Sequence, residues 1–408
     1  MKYNLFLMDI AVAGNMNGVT RCIQMLVSAL SMDRDYNVTW VRFICHRSGD
    51  IVRRKFDSTF LIEIPFPKDL GSFLGSPAQK QSFWNESYEI IRDEIKRPGK
   101  IILHIHTLNL IDFALFVRQR QECKIVTHLH CIPWKSLYNR NKSLFMDLYE
   151  RYYIKKDYTS SSIFVSKGHE HISYTQSDRL VCVTRCARDF VKRMCPEHTK
   201  IDVIYNGIED LVNNEADIYC SPRQVVNCLF VGNAHPSKGL EFVLKALNII
   251  QRRHEVILFI SGAYTNRLKN EIVKTYPFLD IRFTGLIPLM KLQEYYRFCD
   301  IGIIASLQEQ CSYVALEMMM YGLPVITTDI DGLHELFAEK GCCCHIPIQF
   351  IPGQTIQPDV EKMAHSISTL IKHPALRERI ARQARHRFKR KYEKSRMVSA
   401  IKALYYNI

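Results

Sequence analysis

The sequence predicts an α/β protein made of two doubly wound domains, each with a parallel sheet. Short apolar runs rich in β-branched residues alternate with amphipathic segments of helical length along nearly the whole chain. One polar stretch without periodicity, residues 210–223, interrupts this alternation and indicates a linker. With 408 residues, 47% of them hydrophobic and 24% charged, the chain is long enough for two domains, and its composition excludes a disordered or coiled-coil protein.

The expected strands are the short apolar runs on either side of the polar stretch. They are residues 3–9, 38–44, 101–105, 124–129, 162–165, 179–183 and 202–205, then 227–231, 256–260, 280–284, 301–305 and 324–327. From Pro374 onward the apolar residues recur at helical spacing. We therefore expect an N-terminal domain over 1–209, a linker over 210–223, a C-terminal domain over 224–385 and a C-terminal helix over 386–408. Ligands of such sheets bind beyond the carboxyl ends of the strands, so the cleft between two domains is the expected site.

The charge balance predicts an anionic partner. Lys and Arg number 55 against 41 Asp and Glu, a net charge of +14. Ten basic and two acidic residues lie between Arg377 and Arg396, so this stretch carries +8 and the other 388 residues only +6. The stretch is either a solvated helix face or a contact with an anionic membrane. No nucleic-acid-binding motif accompanies it, and we expect no nucleic-acid partner.

Cysteine usage and hydropathy indicate a cytoplasmic protein. Most of the 14 cysteines lie in apolar runs, as Cys45, Cys182 and Cys228 do, where a free thiol is a small buried hydrophobe. No apolar run reaches the ~18–20 residues needed to cross a bilayer. The run after Lys2 is interrupted by Asp9, which favours a buried strand over a signal peptide. We expect a soluble protein or one peripheral to the inner face of the membrane.

The strongest constellation for chemistry lies between Ile301 and Glu335. A strand leads into a loop that contains Glu309, and a helix opens near Ser312, carries Glu317 and ends at Gly322. Backbone N–H groups and the helix dipole at such a loop suit a diphosphate. The two carboxylates can accept hydrogen bonds from two neighbouring sets of ligand hydroxyls. Spacing alone favours the other interpretation, in which Glu309 is a solvated loop acid and Glu317 an acid on the helix surface.

The segment from Glu309 to Glu317 has the pattern E-x7-E, and Gly322-Leu323-Pro324-Val325 follows it. Together they closely resemble the family 4 glycosyltransferases of the GT-B fold. The resemblance covers nearly the whole chain, because four further segments match in order: residues 17–21, 203–208, 231–240 and 283–285. It implies two Rossmann-like domains that face a central cleft, with a C-terminal helix that returns to the N-terminal domain.

The resemblance also implies a reaction. A hexose-type sugar would pass, with retention of configuration, from a UDP- or GDP-linked sugar to a glycan, lipid-linked or other hydroxyl acceptor. Neither a metal ion nor a cofactor would take part. Lys238 would neutralise the departing diphosphate, Glu309 would hold the hydroxyls of the transferred sugar, and His130 would contact that sugar. The further donor-binding residues implied are Gly18, Asn233, the amides of Cys311, Ser312 and Tyr313, and Glu317 at the ribose hydroxyls.

The sequence departs from the family at Asn233, where members usually carry Arg. Asn lacks the charge and the bidentate fork that suit phosphate, a loss of about 1.5–3 kcal/mol unless another group replaces it. We expect Arg21 or His235 to compensate. The alternatives are a sugar-nucleotide-binding protein with another reaction, such as an epimerase or phosphorylase, or one with little activity. Residues 310–313 differ from the family's usual Gly-aromatic-Gly run, which leaves the sugar open.

Two His-x-His pairs end neighbouring predicted strands. His104 and His106 share a face, as do His128 and His130, because alternate strand residues point to the same side. No acidic or cysteine partner has a matching spacing, so we expect no metal site. We expect His104 and His128 to be satisfied core or rim histidines.

Overall fold

The computed structural model describes residues 2–12, 17–45, 49–66, 76–140, 142–155, 169–198, 200–212, 225–349 and 356–408. The chain divides into two compact α/β units. The first unit contains Met1–Asn206 and Ser395–Ile408, and the second contains Gly207–Lys394.

Each unit is organised around one mainly parallel sheet. The first sheet has the order β3-β4-β2-β1-β5-β6-β7-β8, and only β3 runs antiparallel to its neighbour. The second has the order β11-β10-β9-β12-β13-β14, and β15 and β16 form a separate antiparallel pair. The strands are β1 (Tyr3–Val12), β2 (Tyr36–Cys45), β3 (Val52–Phe56), β4 (Thr59–Phe66), β5 (Lys100–Ile105), β6 (Lys124–Leu129), β7 (Arg179–Cys182), β8 (Ile201–Val203), β9 (Val226–Val231), β10 (Val256–Ser261), β11 (Asp280–Gly285), β12 (Ile301–Ile304), β13 (Val325–Thr328), β14 (Cys344–Ile346), β15 (Ile348–Gln349) and β16 (Gln357–Pro358).

Helices connect most of the parallel strands, because a parallel pair needs a long crossover connection. They are α1 (Gly18–Leu30), α2 (Pro77–Ile95), α3 (Ile111–Arg118), α4 (Pro133–Arg140), α5 (Lys142–Tyr149), α6 (His169–Gln176), α7 (Arg185–Met194), α8 (Leu240–Ile250), α9 (Asn266–Thr275), α10 (Leu289–Phe298), α11 (Tyr313–Met320), α12 (Asp331–Leu336), α13 (Val360–Lys372), α14 (Pro374–Lys391) and α15 (Lys394–Tyr406). Short 3₁₀ turns occur at Leu108–Leu110 and Pro236–Lys238, and a π-helical turn at Glu150–Ile154.

Eleven of the twelve expected strands are present, and the twelfth, residues 162–165, lies outside the described residues. The apolar pattern does not predict β4, because Glu63 and Pro65 break its apolar run. Glu63 is nevertheless buried and pairs with Arg54 of β3 at 3.1 Å. A carboxylate that pairs across two strands therefore interrupts the hydrophobic pattern without ending the sheet.

The C-terminal boundary also differs from expectation. The expected limit at 385/386 falls inside α14, which continues to Lys391 because Ile380, Ala384 and Phe388 keep one apolar stripe buried. A second helix, α15, follows, so a single helical segment over 386–408 is wrong. The part of α15 from Ser395 onward belongs to the first unit, where Tyr405 is fully buried.

The basic stretch is not one solvated face. Arg377, Arg385 and Arg387 are all less than 8% exposed. Arg377 donates to the carbonyl of Leu370 at the end of α13 (2.5 Å), and Arg385 makes a bidentate pair with Asp210 at 2.7 and 2.8 Å. Arg387 donates to carbonyl oxygens at the end of α12 and to a carboxylate at 2.6 Å. Part of the charge excess therefore holds the helices of the second unit together.

Two observations concern membrane-spanning helices and disulfide bonds. Within the described ranges, no helix is both long enough and apolar enough for a bilayer crossing. The 13 described cysteines are all free thiols.

Candidate functional site

The candidate site lies at the carboxyl edge of the second unit's sheet. The neighbouring strands β10, β9 and β12 end side by side, because all three are parallel. The loops that follow them, residues 262–265, 232–239 and 305–312, therefore meet at one edge. This is the edge at which open α/β sheets bind ligands.

The loops after β9 and β10 touch through two glycines. A Cβ added to Gly262, whose φ is +153°, would lie 2.0 Å from the carbonyl oxygen of Gly232. Tyr264 reaches over this contact and donates from its hydroxyl to the carbonyl of Asn233 at 3.3 Å. The Tyr264 ring packs on Phe283 of β11, and burial raises the pKa of its hydroxyl to about 12. Close backbone approach thus fixes the position of the loop that carries Asn233 and Lys238.

Inside this loop, polar side chains bond to one another. The side-chain oxygen of Asn233 accepts from the backbone N–H of His235 at 3.3 Å. The Nδ1 atom of His235 lies 2.7 Å from the hydroxyl of Ser237 and accepts from its backbone N–H at 3.2 Å. His235 is exposed. Its Nδ1 atom contacts the loop, and the rest of the ring lies at the surface.

The central feature is an ion pair between Lys238 and Glu309, which come from different loops 71 residues apart. Ser306 donates from its hydroxyl to the same carboxylate oxygen at 3.2 Å. The Lys238 side chain remains 34% exposed and that of Glu309 16%, so both line the edge of the sheet. Lys238 ends a 3₁₀ turn, and Gly239 follows it with φ +73°. A Cβ at Gly239 would lie 2.0 Å from the carbonyl oxygen of Ala305, so both the backbone angle and the close contact require glycine.

The loop that carries Glu309 is held on two sides. The backbone N–H of Leu307 donates to the carbonyl of Ser237 at 2.7 Å, which ties the two loops together. On the other side Gly332 lies so close that an added Cβ would be 2.4 Å from the Glu309 carbonyl oxygen and 2.3 Å from that of Gln310. Only glycine allows this approach. The carboxylate is therefore placed by backbone packing.

Helix α11 begins at the end of that loop. Ser312 is its N-cap, and its hydroxyl accepts from the backbone N–H of Ala315 at 3.3 Å. Cys311 is buried, and Tyr313 is the first residue of the helix. The predicted run of amides at 311–313 thus lies at the N-terminal end of α11, where the helix dipole favours a negative group.

Glu317 lies within α11 and is only 2% exposed. Its Oε2 atom accepts a hydrogen bond of 2.5 Å from the hydroxyl of Tyr296 on α10, which is 1% exposed. Glu317 is therefore a buried carboxylate with a hydrogen-bond partner, and not a solvated acid on the helix surface. Tyr296 could not be predicted from the sequence, because it lies 21 residues from Glu317 on another helix and no spacing links the two.

The other two predicted residues, Gly18 and His130, belong to the first unit. Gly18 is the first residue of α1, after Asn17, whose side chain caps the helix by accepting from the Thr20 N–H at 2.9 Å. His130 follows β6, and its Nε2 atom lies 2.9 Å from Nδ1 of His106. Burial lowers the pKa of His130 to about 3, so the ring is neutral at pH 7.

Two family models match the chain. Residues 16–210 match the model described as Glycosyltransferase Family 4, and residues 211–387 match the one described as Glycosyl transferases group 1. The chain is 29% identical over 188 residues to an uncharacterized glycosyltransferase of Methanocaldococcus jannaschii, covering 42% of this chain and 47% of that protein. It is 26% identical over 237 residues to glycogen synthase of Mycobacterium tuberculosis, covering 56% and 54%. The chain thus spans about half the length of the curated relatives it matches.

Solved structures resemble the whole chain. Sucrose-phosphate synthase from Thermosynechococcus elongatus superposes with a TM-score of 0.72 at 14% identity, covering 100% of this chain and 99% of that one. Anabaena HepE in complex with UDP and glucose gives a TM-score of 0.69 at 14% identity, covering 99% and 100%. WaaG, a glycosyltransferase involved in lipopolysaccharide biosynthesis, gives 0.69 at 16% identity, covering 98% and 99%. At these identities the likeness establishes the fold, and the expected GT-B fold is confirmed.

Proposed function

Because the chain belongs to the family 4 glycosyltransferases of the GT-B fold, we propose that it transfers a sugar from a nucleotide-diphosphate donor to a hydroxyl acceptor. The observation that carries this proposal is the pairing of Lys238 with Glu309 at the sheet edge, beside the start of α11 and the buried Glu317. A cation, a set of helix N-terminal amides and two carboxylates at one edge match the chemical groups of a nucleotide sugar.

Lys238 is the proposed electrostatic catalyst. Negative charge develops on the diphosphate as the glycosidic bond breaks, and a positive group fixed beside it stabilises that charge in the transition state. The ammonium group has three N–H donors, so it can keep its bond to Glu309 while it donates to a phosphate oxygen. In this proposal transfer proceeds without a metal ion at the diphosphate and with retention of anomeric configuration.

Glu309 and Glu317 are proposed to bind hydroxyl groups at two depths. Glu309 lines the exposed end of the loop and would accept from the transferred hexose. Glu317 is buried and held by Tyr296, which suits a fixed acceptor for the ribose hydroxyls. HepE has been solved with UDP-glucose, which supports a UDP-linked sugar as one candidate donor for this chain.

The acceptor side belongs to the proposal as well. The proposed acceptor is a hydroxyl group of a glycan or of a lipid-linked molecule. In the first unit, His130 is proposed to contact the sugar of the donor and Gly18 its phosphate. A lipid-linked acceptor predicts cosedimentation with anionic liposomes at low salt through the exposed basic residues of α14, such as Arg379 and Lys391. Retention in the supernatant would assign the acceptor to the aqueous phase.

Two alternatives make different predictions. An epimerase or phosphorylase would form product without a separate acceptor, or would consume phosphate. A protein weakened by Asn233 would bind donor in a calorimeter without turnover. Transfer that requires a hydroxyl acceptor and releases the nucleoside diphosphate would reject both.

A thermal-stabilisation screen of UDP-, GDP- and ADP-sugars tests the proposal, since ligand at 100 times its Kd adds about 2.7 kcal/mol. Turnover of the stabilising donor is then measured in Lys238→Ala. Its control is Lys245→Ala, which breaks an exposed Lys–Glu pair on α8. We expect turnover to fall at least 100-fold in the first variant and to stay unchanged in the second. Equal turnover in the two folded variants would contradict the role of Lys238.

A further inference from the structure

Four histidines form a stack on one face of the first unit's sheet. Strands β5 and β6 are parallel neighbours, and His104 lies opposite Val126 in their register. Alternate residues share a face, so His104 and His106 of one chain segment meet His128 and His130 of the other. The ring centroids of His104 and His106 are 4.3 Å apart, and those of His128 and His130 are 4.1 Å apart.

Three of these rings are buried almost completely. His104 is 0% exposed, His106 is 3% and His128 is 2%. The centroid of the His128 ring lies 5.3 Å from that of His104 and 5.1 Å from that of His106. One ring nitrogen from each of the three lies within 4.8 Å of one from each of the others.

The hydrogen bonds of the stack are incomplete. Nδ1 of His104 lies 2.5 Å from the hydroxyl of Tyr405 on α15, and Nδ1 of His106 lies 2.9 Å from Nε2 of His130. The Nε2 atoms of His104 and His106 and both ring nitrogens of His128 are buried and have no partner among the residues that the structure describes. Buried polar atoms without partners are rare in native proteins, and four in one cluster require an explanation.

We propose that His104, His106 and His128 bind a divalent transition-metal ion, with zinc as the representative ion. Three imidazole nitrogens are a ligand set that zinc uses. Two histidines at i, i+2 and a third on the neighbouring strand bring such nitrogens within 4.8 Å of one another. Tyr405 and His130 occupy the opposite nitrogens of two of these rings. Outer partners of this kind fix the orientation of metal-binding histidines.

The proposed ion is separate from the donor chemistry. None of its three ligands is among the residues proposed to bind the donor, and Lys238, Glu309 and Glu317 belong to the second unit. His130, which is proposed to contact the sugar, bonds to His106 as an outer partner and not to the ion. Through Tyr405 the ion would link β5 and β6 to the C-terminal helix, so its effect is to stabilise the first unit. The inference therefore does not depend on the proposed transfer reaction.

Among the described residues, two other groups could also hold a metal ion. Cys22 offers a ligand near His106 and His130, in a group that shares His106 with the proposed position. Asp329, His334 and His345 form the other group, and the Asp329 and His334 side chains are 38% and 63% exposed. Variants of each group separate these positions from the proposed one.

The test uses the full-length protein, treated with a chelator, dialysed and titrated with ZnCl₂, with bound zinc measured by mass spectrometry of the metal. Thermal unfolding is followed with and without zinc. His128→Phe keeps an aromatic ring of similar size and removes both nitrogens without a partner. Cys22→Ser and His334→Ala are the controls, and circular dichroism establishes that each variant is folded.

We expect one zinc ion per chain in the wild type and in both controls, together with a higher Tm. Tyr405→Phe removes an outer partner, and we expect it to lower the zinc affinity about 10–100-fold. His128→Phe removes a ligand, and we expect it to lower the zinc affinity by more than that. Equal zinc binding by folded His128→Phe would overturn the proposal, as would a folded wild type that retains no zinc. Loss of binding only in Cys22→Ser or His334→Ala would assign the ion to the competing position and overturn it too.

Discussion

Replacement of Gly262 by alanine tests whether close backbone contact positions the Lys238 loop. Gly262 has φ +153°, and a Cβ there would lie 2.0 Å from the carbonyl oxygen of Gly232. Gly49 has a similar φ of +146°, but no atom of the described residues lies within 4 Å of its added Cβ. Gly49→Ala therefore carries only the backbone cost, and Gly262→Ala carries the same cost and the collision.

The magnitudes follow from these two terms. A side chain in this backbone region costs about 1–3 kcal/mol. An overlap that forces the backbone to move adds about 1–3 kcal/mol or more. We expect Gly49→Ala to lower the free energy of unfolding by about 1–3 kcal/mol and Gly262→Ala by about 2–6 kcal/mol. Since the collision separates the loops after β9 and β10, we also expect donor affinity to fall at least ~10-fold, about 1.4 kcal/mol.

Urea denaturation followed by circular dichroism gives the stability of each variant, and calorimetry gives the Kd of the donor. Hydrogen exchange of the peptide that covers 226–239 localises the change. Faster exchange there is expected in Gly262→Ala and not in Gly49→Ala. Equal destabilisation by the two substitutions, with unchanged donor affinity in Gly262→Ala, would refute the claim that the glycine contact places the loop.

Three further predictions concern single interactions. If His235 compensates for the missing arginine, His235→Ala weakens donor binding about 10-fold in the wild type but little in an Asn233→Arg background, and calorimetry of the four proteins checks the non-additivity. Tyr296→Phe removes the hydroxyl bonded to buried Glu317 and should lower stability by about 1–3 kcal/mol, measured in urea. Burial lowers the pKa of His104 to about 3, so between pH 6.5 and 3 the unfolded imidazole binds a proton and the folded one does not. Stability of the chelator-treated protein should therefore fall with pH below 6.5, by up to about 1.4 kcal/mol per pH unit for this group, and His104→Phe should reduce the slope.

The sequence predicted most of the framework, because parallel strands buried on both faces leave continuous apolar runs. It also predicted where Glu309 and Glu317 lie relative to a strand and a helix, since a strand–loop–helix unit has a characteristic local pattern. It did not predict that Glu309 pairs with Lys238 or that Glu317 is buried against Tyr296. Those contacts join elements far apart in the chain, and spacing carries no information about them.

The histidines and arginines illustrate the same limit. Each His-x-His pair was recognised, but their union into one buried stack depends on the register between β5 and β6. The sequence predicts that His104 and His128 are satisfied, whereas three of their four ring nitrogens have no partner in the described part of the chain. Arg387 was counted with a basic face, yet it points inward to the carbonyls that end α12. Charge counts along a helix do not distinguish inward from outward side chains.

The most direct test of the central claim is a calorimetric titration of UDP and GDP into the wild type and Glu317→Gln. Gln keeps the size of the side chain and removes the charge, and hydrogen bonds to a charged acceptor exceed neutral ones by about 1–1.5 kcal/mol. We expect one of the nucleotides to bind at one site per chain and to bind about 10-fold more weakly to Glu317→Gln. The folded wild type binding neither nucleotide, or the variant binding with the same Kd, would contradict a site for a UDP- or GDP-linked sugar at this sheet edge.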